Sequence, residues 1–238
     1  MRPLWLIDLD DTLFEASAGM LHAIHLRMNG YMVAKLGLSW DEASALRRRY
    51  WAQYGATFLG LWRHHDISPR EFLPATHDFD PVPFIHWHGT PSEDLSRLSG
   101  RKVIYTNGPR IYAERVVTHL GLTHVIDDLV TSTDTYALNA WHPKPSRLML
   151  RTLCRRYGVE SSHATLVDDG LQNLLCAHCE GLKTVCCTGY RKTKNGVKHR
   201  RPVSYVDFSI SHIRELSRLP IFKEKDDVLT SVRARSRR

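Results

Sequence analysis

The 238-residue chain has no apolar run of about 18 residues, so no transmembrane helix and no membrane partner is expected. The N-terminal apolar stretch is interrupted at Asp8, too early for a secretory signal, and cytoplasm is the simplest location. Cysteine is scarce: Cys154, Cys176, Cys179, Cys186 and Cys187 make an odd set, which argues against a disulfide framework. Cys176-Ala177-His178-Cys179 lacks a second ligand pair at suitable spacing, so the cysteines are expected to be buried helix residues and not a zinc site. Internal repeats are absent, as is any low-complexity linker before the C-terminal tail. Acidic residues are missing from 191–201, where six basic residues cluster. Segment 223–238 holds six basic and three acidic residues. These two segments account for the net charge of +8, and the body of the chain is near neutral. The excess therefore reads as a solvated loop and a mobile basic tail, and a nucleic-acid partner is disfavoured.

What is present is a series of apolar segments that end in polar clusters. Leu4-Trp5-Leu6-Ile7 reads as a buried parallel strand ending in Asp8-Leu9-Asp10-Asp11-Thr12. Active sites of open α/β sheets lie at the carboxyl ends of such strands. Alternation predicts that Asp8 and Asp10 leave the strand on one side. Paired carboxylates there suit Mg2+, and they supply a nucleophile and an acid/base in one stretch. A second strand, Lys102 to Tyr105, ends at Thr106-Asn107-Gly108-Pro109. The Thr106 hydroxyl and the neighbouring backbone N–H groups at Asn107 and Gly108 can bind phosphate oxygens. The next helix should carry Ile111, Val116, Val117 and Leu120 on one face and stop at Gly121.

In His142-Pro143-Lys144-Pro145-Ser146 the prolines favour an extended backbone around Lys144, and Ser146 can cap the helix that ends at Gly158. Lys144 reads as a fixed positive charge against carboxylates and a phosphate, or, taken alone, as a solvated loop lysine. Ala164 to Val167 is a further strand, ending in Asp168-Asp169-Gly170. One of these acids can complete a Mg2+ site, or both can cap the helix that follows.

A long stretch separates Thr12 from Thr106, and residues 15–91 show helical periodicity. Met20 to Leu36 forms one helix ended by Gly37; Trp40-Asp41-Glu42 starts another carrying Ala43, Leu46, Tyr50 and Tyr54. Phe58, Leu61 and Trp62 continue the pattern after Gly55, and Ser68-Pro69-Arg70-Glu71 has the capping-box form. The fold class is therefore α/β: a doubly wound parallel sheet over 1–14 and 92–222, a helical cap over 15–91, and the tail 223–238. The last strands are expected at Lys183 to Cys187 and Tyr205 to Ile210, with a helix beginning near Ser211.

The segments DLDDT, YTNGP, HPKP and VDDG, in this order, resemble the haloacid dehalogenase superfamily over residues 1 to about 215. The resemblance implies a phosphatase with Asp8 as nucleophile, Asp10 as general acid/base, and Thr106 and Lys144 as further catalytic groups. It also implies Mg2+ held by Asp8, the Asp10 carbonyl and Asp169, with Asp168 beside them. Members that cleave halides lack the second aspartate, because halide leaves without a proton, so Asp10 favours phosphate ester chemistry. The cap has its own resemblance. Phe14 to Gly19, Arg47 to Trp51, Tyr54 to Thr57 and His77-Asp78 look like the pyrimidine 5′-nucleotidase subfamily. That implies a nucleoside monophosphate such as UMP or CMP as the small-molecule partner. Tyr50 and Tyr54 could stack on a base and Arg48 could meet phosphate or ribose. Aromatics at helical spacing are also ordinary core residues. The alternatives are another small phosphate, such as a sugar phosphate or phosphoglycolate, and a non-catalytic or RNA-binding module. The intact Asp8, Asp10, Thr106, Lys144 and Asp169 argue against the last.

Overall fold

The structure is a computed structural model that describes residues 2–190 and 203–221. The basic loop 191–201 and the tail 223–238 lie outside the described residues. In chain order the strands are β1 (Leu4–Ile7), β2 (Arg101–Tyr105), β3 (Asp128–Val130), β4 (Tyr136–Ala137), β5 (Ala140–Trp141), β6 (Ala164–Asp168), β7 (Lys183–Cys187) and β8 (Phe208–Ile210). The α-helices are α1 (Met20–Leu36), α2 (Trp40–Tyr54), α3 (Thr57–His65), α4 (Pro69–His77), α5 (Pro91–Ser96), α6 (Arg110–His119), α7 (Arg147–Arg156) and α8 (Leu171–Cys179).

Six strands form one parallel sheet in the order β3-β2-β1-β6-β7-β8, the doubly wound arrangement read from the sequence. The chain winds outward from β1 to β2 and β3, then returns to the other side of β1 for β6, β7 and β8. The carboxyl ends of β1, β2 and β6 thus meet where the winding reverses, the ordinary ligand position in such sheets. All four residues of β1 are buried because both faces are covered. Trp5 and Ile7 join α6 in one core, together with Leu95 of α5 and Leu216 of the final helical turn. Leu4 and Leu6 join Leu150 and Leu153 of α7 and Leu174 of α8 in the other.

Helices α1 to α4 have a third core of their own, with Met32, Tyr50, Phe58, Leu61 and Phe72. Helix α1 links the two bodies, since Met20 and Ile24 belong to the sheet core and Met32 to the helical one. The hairpin of β4 and β5 also links them: Trp141 lies in the helical core, edge-on to Phe58. Residues 78–90 hold no α-helix, only a 3-10 turn at Val82–Phe84, and Ile85 packs in the sheet core. Among the described residues no helix is long and apolar enough to cross a membrane.

Several local expectations need correction. Ser68 caps α4 by accepting from Arg70 N, but Glu71 does not complete a capping box; its carboxylate takes the Tyr31 hydroxyl and the Lys35 ammonium. The reciprocal box forms at Ser39 and Glu42 on α2 instead. On α6 the inward residue is Tyr112 and not Ile111, which is only half-buried. The last strand is shorter than expected, because only Phe208–Ile210 pairs with β7, and the segment after it is a 3-10 helix, Ile213–Arg218. Cys179 is exposed and Cys176 half-buried, so the cysteines are not uniformly buried.

Tyr50 of α2 lies on the backbone of Gly60 in α3. A Cβ at position 60 would sit 2.1 Å from Tyr50 Cγ, at the root of the ring where rotation gives no relief. Gly60→Ala should therefore destabilise the helical core by about 1–3 kcal/mol. For a chain of this size that corresponds to a Tm roughly 2–12 °C lower. An unchanged melting temperature would show that the α2–α3 contact is looser than the structure has it.

Candidate active site

The backbone carries Asp8 directly off β1, where its N–H still donates to Val167 O of β6 at 2.9 Å. The strand ends at Ile7, however, and its alternation ends with it. Leu13 N closes back on Leu9 O, and Asp11 adopts φ 54, in the left-handed region that Asp tolerates better than most residues. Asp11 Oδ1 accepts from Ser17 N and so holds this turn. As a result Asp8 and Asp10 take different hydrogen-bond partners, Lys144 and Tyr112, while their carboxylates stay close enough to act on each other electrostatically.

Asp8 meets Lys144. The Lys144 ammonium is 4% exposed and donates to Asp8 Oδ1 at 2.5 Å and to Asp168 Oδ2 at 2.8 Å. Burial alone would push the lysine pKa down; the Asp168 and Asp8 carboxylates outweigh it and hold the ammonium charged well above the usual lysine range. The backbone of Lys144 is fixed by Asn107, whose amide donates to Lys144 O at 2.9 Å and accepts from Lys144 N at 2.7 Å. The Asn107 side chain thus acts as a clamp between the end of β2 and the lysine. Thr106, fully buried, follows β2 directly, and its hydroxyl accepts from Gly108 N at 2.9 Å.

Asp168 is the last residue of β6. Its Oδ1 accepts from Gly170 N and Asn173 Nδ2, and its Oδ2 takes the lysine. With both oxygens engaged, it positions Lys144 more than it faces the open side. Carboxylate oxygens of Asp8, Asp168 and Asp169 lie within 4.8 Å of one another, the one such group of metal-ligating side chains among the described residues. Two of these carboxylates, Asp8 and Asp168, receive the Lys144 ammonium. The Asp8 pKa is pushed up by burial and by the Asp168, Asp169 and Asp10 carboxylates against the pull of Lys144. A hard divalent cation fits this oxygen-rich set. Cys176, His178 and Cys179 form no comparable group.

Asp10 lies apart. The hydroxyl of Tyr112 on α6 donates to its Oδ1 in a short hydrogen bond. Burial raises the Asp10 pKa to about 6, against the lowering effect of Tyr112. A carboxyl titrating there can both give and take a proton near neutrality. Tyr112 itself packs edge-on to His77, the last residue of α4, at 5.8 Å between ring centroids. Neither contact is visible from sequence spacing, since both depend on how α6 is turned against the sheet.

The helical residues chosen from sequence are placed variously. Arg48 is exposed and bonds Ser44 Oγ on its own helix at 2.6 Å. Tyr50 is 4% exposed, part of the helical core, and its hydroxyl meets His65 at 2.8 Å. Tyr54, half-buried, meets His64 at 2.6 Å. The end of α2 does come to the lysine loop: a Cβ on Gly55 would stand 3.2 Å from Lys144 O and 3.1 Å from Pro145 Cδ. Gly55 also has φ 78, so glycine is required there twice over. Arg47, which the sequence reading passed over for Arg48, is half-buried and donates from Nε to Asn29 Oδ1 at 3.1 Å.

Relatives place this arrangement. A curated relative, validoxylamine A 7′-phosphate phosphatase of Streptomyces hygroscopicus subsp. limoneus, is 32% identical over 90 residues, 38% of this chain and 38% of that protein. The match thus spans well under two thirds of the relative's length. Among solved structures, a haloacid dehalogenase-type phosphatase from Thermococcus onnurineus superposes with a TM-score of 0.60 at 23% identity, covering 91% of this chain and 96% of that one. CbbY from Rhodobacter sphaeroides in complex with phosphate gives 0.62 at 20% identity, with the same coverage of 91% and 96%. The L-2-haloacid dehalogenase of Xanthobacter autotrophicus gives 0.56 at 15%, covering 92% and 98%, so the shared fold alone does not separate phosphatases from dehalogenases. The family model described as haloacid dehalogenase-like hydrolase matches residues 4–181, well over half of the sequence, and the chain belongs to that family.

Proposed function

We propose that this chain is a Mg2+-dependent phosphomonoesterase working through an aspartyl-phosphate. The observation that carries the proposal is the division between two carboxylates. Asp8 lies buried against Lys144 among acidic neighbours, while Asp10 is held by the Tyr112 hydroxyl with a pKa of about 6. Asp8 attacks phosphorus with one carboxylate oxygen. The departing alkoxide takes the proton of Asp10, and Asp10 then accepts a proton from the water that hydrolyses the acyl phosphate. Lys144 offsets the charge gathered on Asp8 and the phosphoryl oxygens. The Thr106 hydroxyl and the Asn107 N–H contact those oxygens, and the Gly108 N–H, which donates to Thr106 Oγ1, holds that hydroxyl in place. Mg2+ held by Asp8, the Asp10 carbonyl and Asp169 would supply Lewis-acid neutralisation of the phosphoryl group.

Helices α1 to α4 then act as a lid that chooses the leaving group. The finer reading takes a pyrimidine nucleoside 5′-monophosphate as substrate, supported by the likeness of Arg47 to Trp51 and Tyr54 to Thr57 to the 5′-nucleotidase pattern and by the seating of Gly55 on the lysine loop. The lid arginine suited to a polar leaving group is Arg47 and not Arg48, since it is half-buried and held by Asn29. A second reading, another small phosphate such as a sugar phosphate, is favoured by two observations. Tyr50 is used up in the helical core, and the curated relative is named for validoxylamine A 7′-phosphate, which is not a nucleotide by name.

Asp8→Asn is nearly isosteric and should abolish phosphate release while the fold is retained by circular dichroism. Residual turnover above about a tenth of wild type would remove Asp8 from the role of nucleophile. Chelation with EDTA should silence the enzyme and Mg2+ should restore it; full activity after exhaustive chelation would exclude the metal.

Substrate choice separates the two readings. A stacked base contributes about 1–3 kcal/mol in nucleic-acid complexes, enough for roughly ten- to hundredfold preference. UMP or CMP should therefore exceed glucose 6-phosphate and phosphoglycolate at least about tenfold in kcat/KM. Equal values across these substrates would leave a general small-molecule phosphatase.

A further inference from the structure

We propose that Tyr112 is the positioning residue of the acid/base step, and that it carries the closure of the lid to Asp10 through His77. The proposal rests on the phosphomonoesterase reading and extends it to a residue outside the four sequence motifs. Tyr112 is 1% exposed, and its hydroxyl donates to Asp10 Oδ1. That bond occupies one carboxyl oxygen and leaves Oδ2 as the atom that carries the transferable proton. When Oδ2–H protonates the departing alkoxide, the O–H bond at Oδ2 breaks and a new one forms on the leaving oxygen. The negative charge that remains on Asp10 is met by the Tyr112 hydroxyl, whose hydrogen bond strengthens as its acceptor becomes charged. The contact is therefore stronger after proton transfer than before it, the condition for an interaction to speed the step.

Two contacts restrain the ring of Tyr112. The backbone of Gly108 lies so close that a Cβ there would stand 2.8 Å from Tyr112 Cδ1. His77 at the end of α4 packs edge-on to the ring at 62° between ring planes. His77 is itself fixed: its Nδ1 lies 3.0 Å from Leu73 O and 2.9 Å from Thr76 Oγ1. The imidazole is thus rigid with the lid helix, while Gly108 belongs to the loop that contacts phosphate. Tyr112 sits between them, and the orientation of Asp10 depends on the lid being seated.

Leaving-group dependence tests this directly. The value of kcat/KM reports steps only up to departure of the leaving group, so hydrolysis of the aspartyl-phosphate does not enter it. An alkyl ester, UMP or glucose 6-phosphate, needs a proton to leave, whereas p-nitrophenolate leaves without one. Tyr112→Phe keeps the ring and its packing. It should lower kcat/KM on the better alkyl ester by roughly ten- to hundredfold, within the range of lost acid catalysis, and on p-nitrophenyl phosphate by less than about threefold. Retained turnover of p-nitrophenyl phosphate also certifies the fold of the variant. Asp10→Asn should show the same selectivity with a larger loss on the alkyl ester. His77→Ala should reproduce the pattern of Tyr112→Phe more weakly. If Asp10→Asn is selective but Tyr112→Phe loses both substrates equally, or neither, Tyr112 has no positioning role. If His77→Ala shows no selectivity while Tyr112→Phe does, the link to the lid is refuted. Failure of the wild type on every phosphate ester would overturn the phosphomonoesterase reading and this proposal with it.

Discussion

One buried ammonium organises the site. Lys144 enters a desolvated position only because two carboxylates, Asp8 and Asp168, receive it. A lone charge there would be costly, and removing either partner of such a pair leaves the other uncompensated. The requirement spreads outward. Asp168 must be held, and Gly170 N and Asn173 hold it; the Lys144 backbone must be held, and Asn107 holds it from both its N–H and its carbonyl. Thus the ends of β1, β2 and β6 are tied together by hydrogen bonds that converge on one residue, through its ammonium and its backbone. The same loop then offers Lys144 O and Pro145 to the end of α2, where only a glycine fits. The helical body therefore rests on the lysine loop, and the accuracy of its seating inherits that of the salt bridge.

Two carboxylates two positions apart take different hydrogen-bond partners because the strand ends just before them, at Ile7. Leu4 and Leu6 look into one core and Trp5 and Ile7 into the other. Had the strand continued, Asp10 would have repeated the environment of Asp8. The left-handed Asp11 and the closure of Leu13 on Leu9 turn the chain instead. Asp10 is delivered to Tyr112, in the core opposite to that of α7 and α8, while Asp8 stays with Lys144. Separate environments for paired carboxylates are the usual way to obtain an acid and a charged group from the same residue type.

The four strand-end motifs were legible because each is local: an apolar run, then polar residues, within a few positions. Their convergence follows from parallel pairing of β1 with β2 and β6, which the alternation of strands and helices already implied. Tyr112 was not legible. Periodicity favours Ile111 as readily as Tyr112, and the choice is made by the rotation of α6 on the sheet. The clamp by Asn107 was missed for a similar reason, since its partner lies 37 residues on and an amide at a strand end invites a ligand role. The β4–β5 hairpin gave no signal because its strands have two residues each and its turn uses Leu138 and Asn139 at φ 50 and 59 in place of the usual glycine. Leu138 is 83% exposed, so even the apolar pattern misleads there. The capping box at Ser68 failed because Glu71 found a hydroxyl and an ammonium on α1, a tertiary contact that no local motif encodes.

The helical body shows how burial redistributes candidate roles. A run such as Arg47-Arg48-Arg49-Tyr50-Trp51 looks like a uniform recognition surface, but a helix turns each member a different way. Tyr50 closes on Gly60 and builds the lid itself; Trp51, 65% exposed, and Arg48 face outward. Arg47 alone of the three arginines meets α1, through Asn29. His25, also on α1, has its pKa lowered to about 4 by burial and by the nearby Arg47 charge, so it is neutral near pH 7. His77, buried near His25, is lowered to about 4 as well. The lid interior therefore presents one cation and two neutral imidazoles in sequence toward Tyr112 and Asp10. In the proposed reading this arrangement suits a polar, hydrogen-bonding leaving group better than an apolar one. Beside base stacking, selectivity would then rest on whether the leaving group satisfies the donors and acceptors that these helices have already removed from water.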